Sequence, residues 1–393
     1  MRAPRLTSFR IQNFKAVRDS KSIKFGPLTV LIGNNGSGKS SVIEGLDTFQ
    51  RLVQVGLDEA MRPWHRFEDV WNQAVKHDDI AESKEKRAYQ TNPMRFTLAG
   101  TQAEHKQLVG SFRAELDVTM GPGGNSLFIQ REDLKFKQSI HMHRNDRGKV
   151  SYDPMPMNRR TPSCLDDGES MMQDLGVGGL GRWQFLTLAP QQMTEPVPQK
   201  RAGGDVRLTA NGSNIAQYMS WIRATDQSAF AGILEAIQYV LPYARDLQPQ
   251  LTSELERTVY LQMTEAGFKI PGWMFSSGTL RVVALLALLR SPEPPPLIVV
   301  EEIENGLDPR SVNLILQEIS GAVESGRTQV IMTTHSPYLL DLLDLSHLVL
   351  CERVEGTPVF SRPQDRKGVR DWAKNYAPGQ LYVMDRMHAE GRG

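Results

Sequence analysis

The sequence predicts an α/β chain built on a mixed or parallel sheet, with a separate antiparallel β lobe and an inserted helical segment. Three observations carry that prediction. A glycine-rich loop at 33–40 sits between a fully apolar strand and an amphipathic helix. The last hundred residues alternate apolar runs with helical periods, the pattern of a parallel β–α sheet. Between them, residues 94–152 read as short strands separated by Gly and Asn clusters, an antiparallel meander.

The elements follow in order. Leu6, Phe9, Ile11 and Phe14 alternate with polar neighbours as one strand, Ser22–Phe25 forms a second, and a Gly26-Pro27 turn leads into Leu28–Ile32. That last run is apolar at almost every position, as a strand covered on both faces must be. From Ser41 to about Met61, Val42, Ile43, Leu46, Phe49, Val53 and Leu57 recur at helical spacing. Residues 62 to about 92 read as helix and loop. The meander strands are expected at Arg95–Gly100, Ser111–Met120, Leu127–Arg131, Phe136–His143 and Lys149–Tyr152. Residues 153–181 are rich in Pro, Met and Gly and read as loop with a short helix, Trp183–Leu188 as a strand, and 190–212 as a linker. Asn214–Leu241 has helical spacing, Thr258–Met263 reads as a strand, and Ser277–Leu289 is a strongly apolar helix stopped by SPEPPP at 291–296. Leu297–Val300, a helix over Ser311–Ser325, a strand at Gln329–Thr333, a helix from Tyr338 and a strand at His347–Cys351 complete the alternation.

Composition narrows the function classes. The chain has 393 residues with 46 Lys+Arg against 45 Asp+Glu, a formal charge of +1. That balance argues against a polybasic protein that binds nucleic acid by bulk phosphate neutralisation. With 40% hydrophobic and 23% charged residues it is an ordinary globular chain. Two cysteines, Cys164 and Cys351, exclude a disulfide scaffold and a four-cysteine zinc site. The longest apolar run, Val282–Leu289, is far too short to span a membrane, and the N-terminus lacks the apolar stretch of a signal peptide. A cytoplasmic protein with no membrane association is expected.

Gly33-Asn34-Asn35-Gly36-Ser37-Gly38-Lys39-Ser40 satisfies G-x-x-x-x-G-K-[ST] at every position, and Ser41 continues it into the helix. Glycines let backbone N–H groups turn inward around a phosphate, and the helix N-terminus adds positive potential there. Lys39 can reach the outer phosphates and the Ser40 hydroxyl can ligate Mg²⁺. A second signal is LIVVEEIENGLDP at 297–309, where an apolar strand ends in Glu301 and Glu302. One carboxylate can hold Mg²⁺ and the next can polarise an attacking water. A solvated acidic turn is the plainer alternative.

With FSSGTLR at 275–281 and TTHSP at 333–337, this order of motifs resembles the ABC-type ATPases that include RecF, SMC and transporter ATPases. The stretch from Ser276 to Pro309, the opening LTSFRIQNFKAVRD and LTANGSNIAQYMSWI at 208–222 are similar to the RecF-like group of bacterial AAA-family ATP-binding proteins. Residues 1–60 and 205–362 carry most of the resemblance. It implies an ATPase head that uses ATP and Mg²⁺. Its implied roles are Glu301 as the Mg²⁺ carboxylate, Glu302 as catalytic base, and His335 as the residue that senses the γ-phosphate. Ser276 and Gly278 would contact the γ-phosphate bound to a second subunit, and Asn305 to Asp308 would form the D-loop. The sequence departs from the pattern at Ser277, Ile303 and Asp308, within the signature and D-loop segments, and Glu301 stands where transporter ATPases carry Asp. The Q-loop glutamine is open between Gln184, Gln191 and Gln192.

The implied organisation is 1–60 as the N-terminal part of the ATPase, 61–204 as a β-rich inserted lobe and loops, 205–290 as a helical signature subdomain, and 291–393 as the C-terminal part. Over 230 residues separate the P-loop from the signature without sustained heptads, which suits a RecF-like or defence ATPase better than a transporter or a coiled-coil tether. The expected function is an ATPase that dimerises around two ATPs and controls DNA or a partner effector, such as a nuclease-like protein encoded nearby, in DNA repair or anti-phage defence. Its rivals are a slow-turnover ATP-bound sensor and, less favoured, a peripheral transporter ATPase. Arg131–Arg160 is the most basic stretch and could follow a nucleic-acid backbone, although a solvated face is the commoner reading. His141 and His143 share a strand face without an evident third metal ligand, and Asp166-Asp167-Gly168-Glu169 reads as an exposed acidic loop.

Overall fold

The computed structural model describes residues 3–387 apart from 73, 75–78, 83, 85–86, 106–107, 125, 137–139, 154–163, 200–203, 205 and 254–255. Lys137, Arg159 and Arg160 of the basic stretch lie outside the described residues. The chain forms two compact units: residues 1–183 with 345–376 and 384–393, and residues 184–344 with 377–383.

The first unit is organised by an eight-stranded sheet. Its order is Val150–Asp153, His141–Arg144, Leu127–Phe136, Leu108–Met120, Met94–His105, Arg5–Phe14, Val17–Asp19, with Ile23–Lys24 also paired to Arg5–Phe14. Every pairing in it is antiparallel. The N-terminal strand therefore belongs to the same sheet as the meander, through a register that sets Phe9 opposite Leu98 and Ile11 opposite Phe96. Phe9 and Ile11 on the first strand and Phe96 and Leu98 on the second are fully buried, as period-two alternation requires of one sheet face; Phe14 falls out of that period after Asn13, at φ +56°, and is fully buried with its ring centroid 5.8 Å from that of Phe96. The helix Lys39–Val55 covers that face. It comes close enough at Gly45 that a Cβ there would lie 3.2 Å from Ile11 Cγ2, and Phe49 meets Phe96 with ring centroids 6.1 Å apart.

Two expectations change here. The helix does not run on to Met61: Gly56, at φ +85°, breaks it at Val55 and a short helix, Leu57–Met61, follows. Phe136–His143 is not one strand, because Leu127–Phe136 and His141–Arg144 pair antiparallel as separate strands. Residues 62–92 hold the short helix Phe67–Val70 and a hairpin of Ile80–Glu82 with Ala88–Gln90. The same unit contains Leu28–Ile32 parallel to Leu348–Val354, which pairs antiparallel with Thr357–Ser361, a strand that the sequence pattern did not reveal.

The second unit holds a parallel trio: Gln184–Leu186, Leu297–Val300 and Gln329–Thr333, with Leu297–Val300 in the middle. Both longer strands are buried throughout, as expected of strands covered on two faces. The Ser277–Leu289 helix buries Leu280 and the whole run Val282–Leu289, and each fully buried Leu or Val contributes roughly 1.5–3 kcal/mol. Asn214–Leu241 is two helices, Ile215–Thr225 and Gln227–Val240. Asp226 ends the first in an extended conformation and caps the second, its carboxylate accepting the Ala229 N–H at 2.9 Å. An antiparallel sheet of Val197–Pro198, Ala244–Leu251, Thr258–Glu265 and Phe268–Pro271 completes the unit. No described helix is long and apolar enough to cross a membrane.

Candidate functional site

In the first unit the loop 33–40 has the geometry that its glycines predict. Gly33, Gly36 and Gly38 have φ of 144°, 74° and 102°, values that L side chains rarely tolerate. A Cβ on Gly33 would fall on the Cys351 carbonyl oxygen, and one on Gly38 would lie 2.9 Å from Pro358 Cβ. The hairpin Leu348–Ser361 thus packs directly against the loop. Gly38 sits at the N-cap of the Lys39–Val55 helix with no side-chain cap and no acidic residue in the first turn. With no acidic residue in the first turn, the positive potential of the helix N-terminus is not offset there, which suits an anion. Lys39 is buried, and its ammonium donates to the carbonyls of Gly33 at 2.7 Å and Asn34 at 3.1 Å. Ser37 Oγ is buried without a hydrogen-bond partner, while Asn34, Asn35, Gly36 and Ser40 are exposed. Burial pushes the neighbouring Cys351 thiol up to about 12, so this sulfur stays protonated.

In the second unit the acidic strand end and the histidine segment are tied together. Leu297–Val300 runs beside Gln329–Thr333 with Val300 opposite Met332. Glu301 is half-buried and Glu302 exposed. Glu302 takes φ +46°, a left-handed conformation that costs a non-glycine residue roughly 1–2 kcal/mol. Its N–H donates to Thr333 Oγ1 at 2.8 Å, which holds that conformation. Glu304 Oε1 then accepts from Thr334 Oγ1 and from the His335 N–H, each at 2.8 Å. His335 is therefore fixed at its main chain by a residue two positions beyond Glu302. Glu304, Thr333 and Thr334 were not singled out from the sequence. The only signal for Glu304 was a third glutamate in E-E-I-E, and its pairing with Thr334 is a matter of strand register.

Ser276 caps the Ser277–Leu289 helix, its Oγ accepting the Thr279 N–H at 3.1 Å, and remains exposed. Gly278 packs on the turn at 305–308: a Cβ there would be 2.6 Å from the Gly306 carbonyl oxygen. Arg281, one turn further, donates to the Leu188 carbonyl at 3.2 Å. Burial pulls its guanidinium below the usual range, and the charge of Glu302 opposes that shift. Asp308 uses both carboxylate oxygens as a helix cap, accepting from the N–H groups of Arg310 and Ser311 at 2.9 and 3.1 Å and from Ser311 Oγ at 2.6 Å. The Ser311 hydroxyl is the main reason its carboxyl lies below the ordinary value. Ile303 is buried. Two departures from the family pattern thus have local structural reasons.

The strand register also separates the glutamines. Gln184 stands level with Ile298, three residues before Glu301, whereas Leu186 is level with Val300. Gln191 and Gln192 follow the strand end in the short helix Pro190–Met193. Gln192 accepts a hydrogen bond from Asn211, and Gln191 is exposed. His141 and His143 have a neighbour that the sequence did not suggest: Asp133 Oδ1 lies 3.0 Å from His141 Nε2 and 3.3 Å from His143 Nδ1. Arg131 also pairs with Asp133, and no set of three metal-binding side chains occurs among the described residues.

The donor set of the loop 33–40 fits the phosphates and Mg²⁺ of a bound nucleotide in kind: glycine-framed N–H groups, a lysine and serine hydroxyls. Residues 5–98 match the family model "AAA ATPase domain", and residues 197–341 match "AAA domain, putative AbiEii toxin, Type IV TA system". A protein of Helicobacter pylori described as an ATP/GTP phosphatase is 20% identical over 347 residues, covering 86% of this chain and 87% of that protein. Among solved structures, an Smc head bound to the C-terminal winged-helix domain of ScpA superposes with a TM-score of 0.57 at 14% identity, covering 91% of this chain and 97% of that one. The Smc head of Pyrococcus furiosus, solved with an extended coiled coil and the C-terminal domain of ScpA, gives 0.55 at 12% identity, covering 95% and 100%. The fold is that of an SMC-type ATPase head, and the resemblance to SMC/RecF-like ABC-type ATPases is borne out.

Proposed function

We propose that this head hydrolyses ATP and works as a two-copy switch. ATP is held at Gly33–Ser40, with Lys39 leaving the carbonyls of Gly33 and Asn34 to meet the outer phosphates. Ser40 and Glu301 are the residues that would hold Mg²⁺, which when bound neutralises phosphate charge. Glu302 is the base that takes a proton from the attacking water. His335 reports the γ-phosphate, and one of Gln184, Gln191 and Gln192 serves as the Q-loop glutamine. A second copy contributes Ser276 and Gly278, so that two ATPs join two heads. Asp308 acts through the helix it caps and through the D-loop that precedes it.

The observation that carries this reading is the loop itself: an uncapped helix N-terminus framed by three positive-φ glycines, with a buried lysine folded onto its carbonyls. The match of residues 197–341 to a model described by a toxin of a toxin–antitoxin system supports a role in defence. The relative described as an ATP/GTP phosphatase supports turnover, and the Smc heads bound to ScpA domains support a protein partner. The output is control of DNA or of an effector protein in the cytoplasm.

The test is solution mass with saturating ATP and Mg²⁺ for Glu302→Gln, which should trap the joined state. The variant is expected to double in mass with ATP and to remain monomeric when Lys39→Ala is added. A Glu302→Gln protein that binds ATP and stays monomeric would refute the two-copy switch. A Lys39→Ala protein that retains tight ATP binding would refute the phosphate assignment. Negligible turnover of the wild type with an ATP-dependent mass change would instead favour the slow sensor.

A further inference from the structure

A second cavity lies in the first unit, among residues 84–151, and shares no residue with the P-loop. Its volume is about 710 Å³, and its lining includes Lys84, Tyr89, Gln130, Arg131, Asp146 and Lys149. That volume is in the range of sites for nucleotide-sized ligands.

Asp146 is the informative residue. It is 4% exposed, and its Oδ2 is buried with no hydrogen-bond partner. Its neighbours are engaged elsewhere. Arg87 donates to the Asp146 main-chain carbonyl and pairs through both nitrogens with Asp167. Arg95 forms a two-pronged pair with Asp117, and Arg131 pairs with Asp133. Buried polar atoms are almost always satisfied, and an exception in a cavity wall points to an absent donor. Lys84 and Lys149 make no ion pair among the described residues, which leaves two cationic groups available to an anion. Tyr89 supplies an aromatic face, and Gln130 an amide that can donate and accept.

We infer that this cavity binds a nucleoside phosphate, with the base edge donating N–H to Asp146, the ring against Tyr89, and the phosphate at Lys149 and Lys84. Guanine fits best, because its N1–H and amino group offer adjacent donors to one carboxylate. The ligand is either a free nucleotide or the terminal nucleotide of a single strand, which present the same chemistry. The inference is independent of ATP hydrolysis.

The experiment uses the full chain in a Lys39→Ala background, so that the P-loop does not contribute. Fluorescence anisotropy follows a labelled single-stranded DNA of about 12 nucleotides ending in guanosine, the same strand ending in an abasic sugar, and competition by GMP. A preference of about tenfold for guanosine over the abasic end is expected, the size of one stacked and hydrogen-bonded base. Asp146→Asn should erase that preference without lowering the thermal unfolding temperature, and Lys149→Glu should weaken both strands. Competition by GMP at similar affinity identifies a free nucleotide as the ligand, and a strand that binds while GMP does not identifies a strand end. No binding of either probe at millimolar concentration overturns the inference. So does binding that is indifferent to both Asp146→Asn and Lys149→Glu.

Discussion

Glu304 gives the sharpest test of how the acidic strand end is coupled to His335. Replacing it with Ala removes one acceptor that serves two donors, the Thr334 hydroxyl and the His335 N–H, each at 2.8 Å. Hydrogen bonds to a charged group are worth about 1.5–3 kcal/mol each. Thr334 is fully buried and His335 half-buried, so water replaces the lost acceptor poorly at the hydroxyl and the loss is roughly 3–6 kcal/mol for the pair. Much of it should appear locally, as a loosened turn after Thr333. Under the proposed mechanism, turnover falls at least about tenfold, since 1.4 kcal/mol of misplacement is a factor of ten. The KM for ATP should change little, because the loop at 33–40 is untouched. Glu304→Gln retains an oxygen at the same place and should recover most of the rate. The assay is steady-state ATP hydrolysis for the wild type, Ala and Gln variants, with unfolding by urea followed in parallel. A Glu304→Ala protein with wild-type turnover and unchanged urea stability would refute the coupling. Ala and Gln variants that are equally impaired would show that charge, and not the acceptor's position, matters.

Two further outcomes are expected. Asp308 is held below the ordinary carboxylate value, chiefly by Ser311, so its contribution to stability is present above the unfolded value near 3.8 and is lost as pH falls through its lower folded value. Asp308→Asn keeps a cap but does not titrate, so the stability difference between wild type and variant, measured by urea unfolding at pH 7 and near pH 3, should shrink on acidification; a difference that grows would contradict the cap. Cys164 is exposed while Cys351 is buried with its thiol pushed up to about 12. A thiol reagent at pH 8 should therefore modify Cys164 quickly and Cys351 only after unfolding, and equally fast labelling of both would contradict the packing beneath the loop.

The elements legible in the sequence were those whose pattern is local and strong. Leu28–Ile32, Leu297–Val300, Gln329–Thr333 and Ser277–Leu289 have the bounds that their apolar runs indicate. Ala244–Leu251 was missed because its run, ARDLQPQL, carries Pro249 and few β-branched residues. It is held as a strand by its pairing with Thr258–Glu265, a tertiary effect that propensity does not register. Thr357–Ser361 was hidden for a similar reason, with Pro358 in a short edge strand. The pairing of Arg5–Phe14 with Met94–His105 could not be read, since partners eighty residues apart leave no local trace. Among the candidate residues, the motifs pointed to the loop in the first unit and to Glu301, Glu302, Ser276, Gly278 and His335 in the second. They did not name the residues that hold these in place. Glu304, Thr333, Thr334 and Arg281 act through register and loop geometry, and Asp308 looked like a departure in the motif until its cap was seen.

The hairpin against the phosphate loop has a consequence for interpreting related sequences. Gly33 and Gly38 are required by packing, since a methyl group at either would collide with Cys351 or Pro358. A descendant that had lost all use for nucleotide would still be obliged to keep both, simply to fold. Glycines at these two positions therefore testify to architecture as well as to a phosphate cradle, and by themselves do not separate the two. A degenerate relative would be recognised by the fate of Lys39, Ser40 and Glu302, which the same packing does not compel.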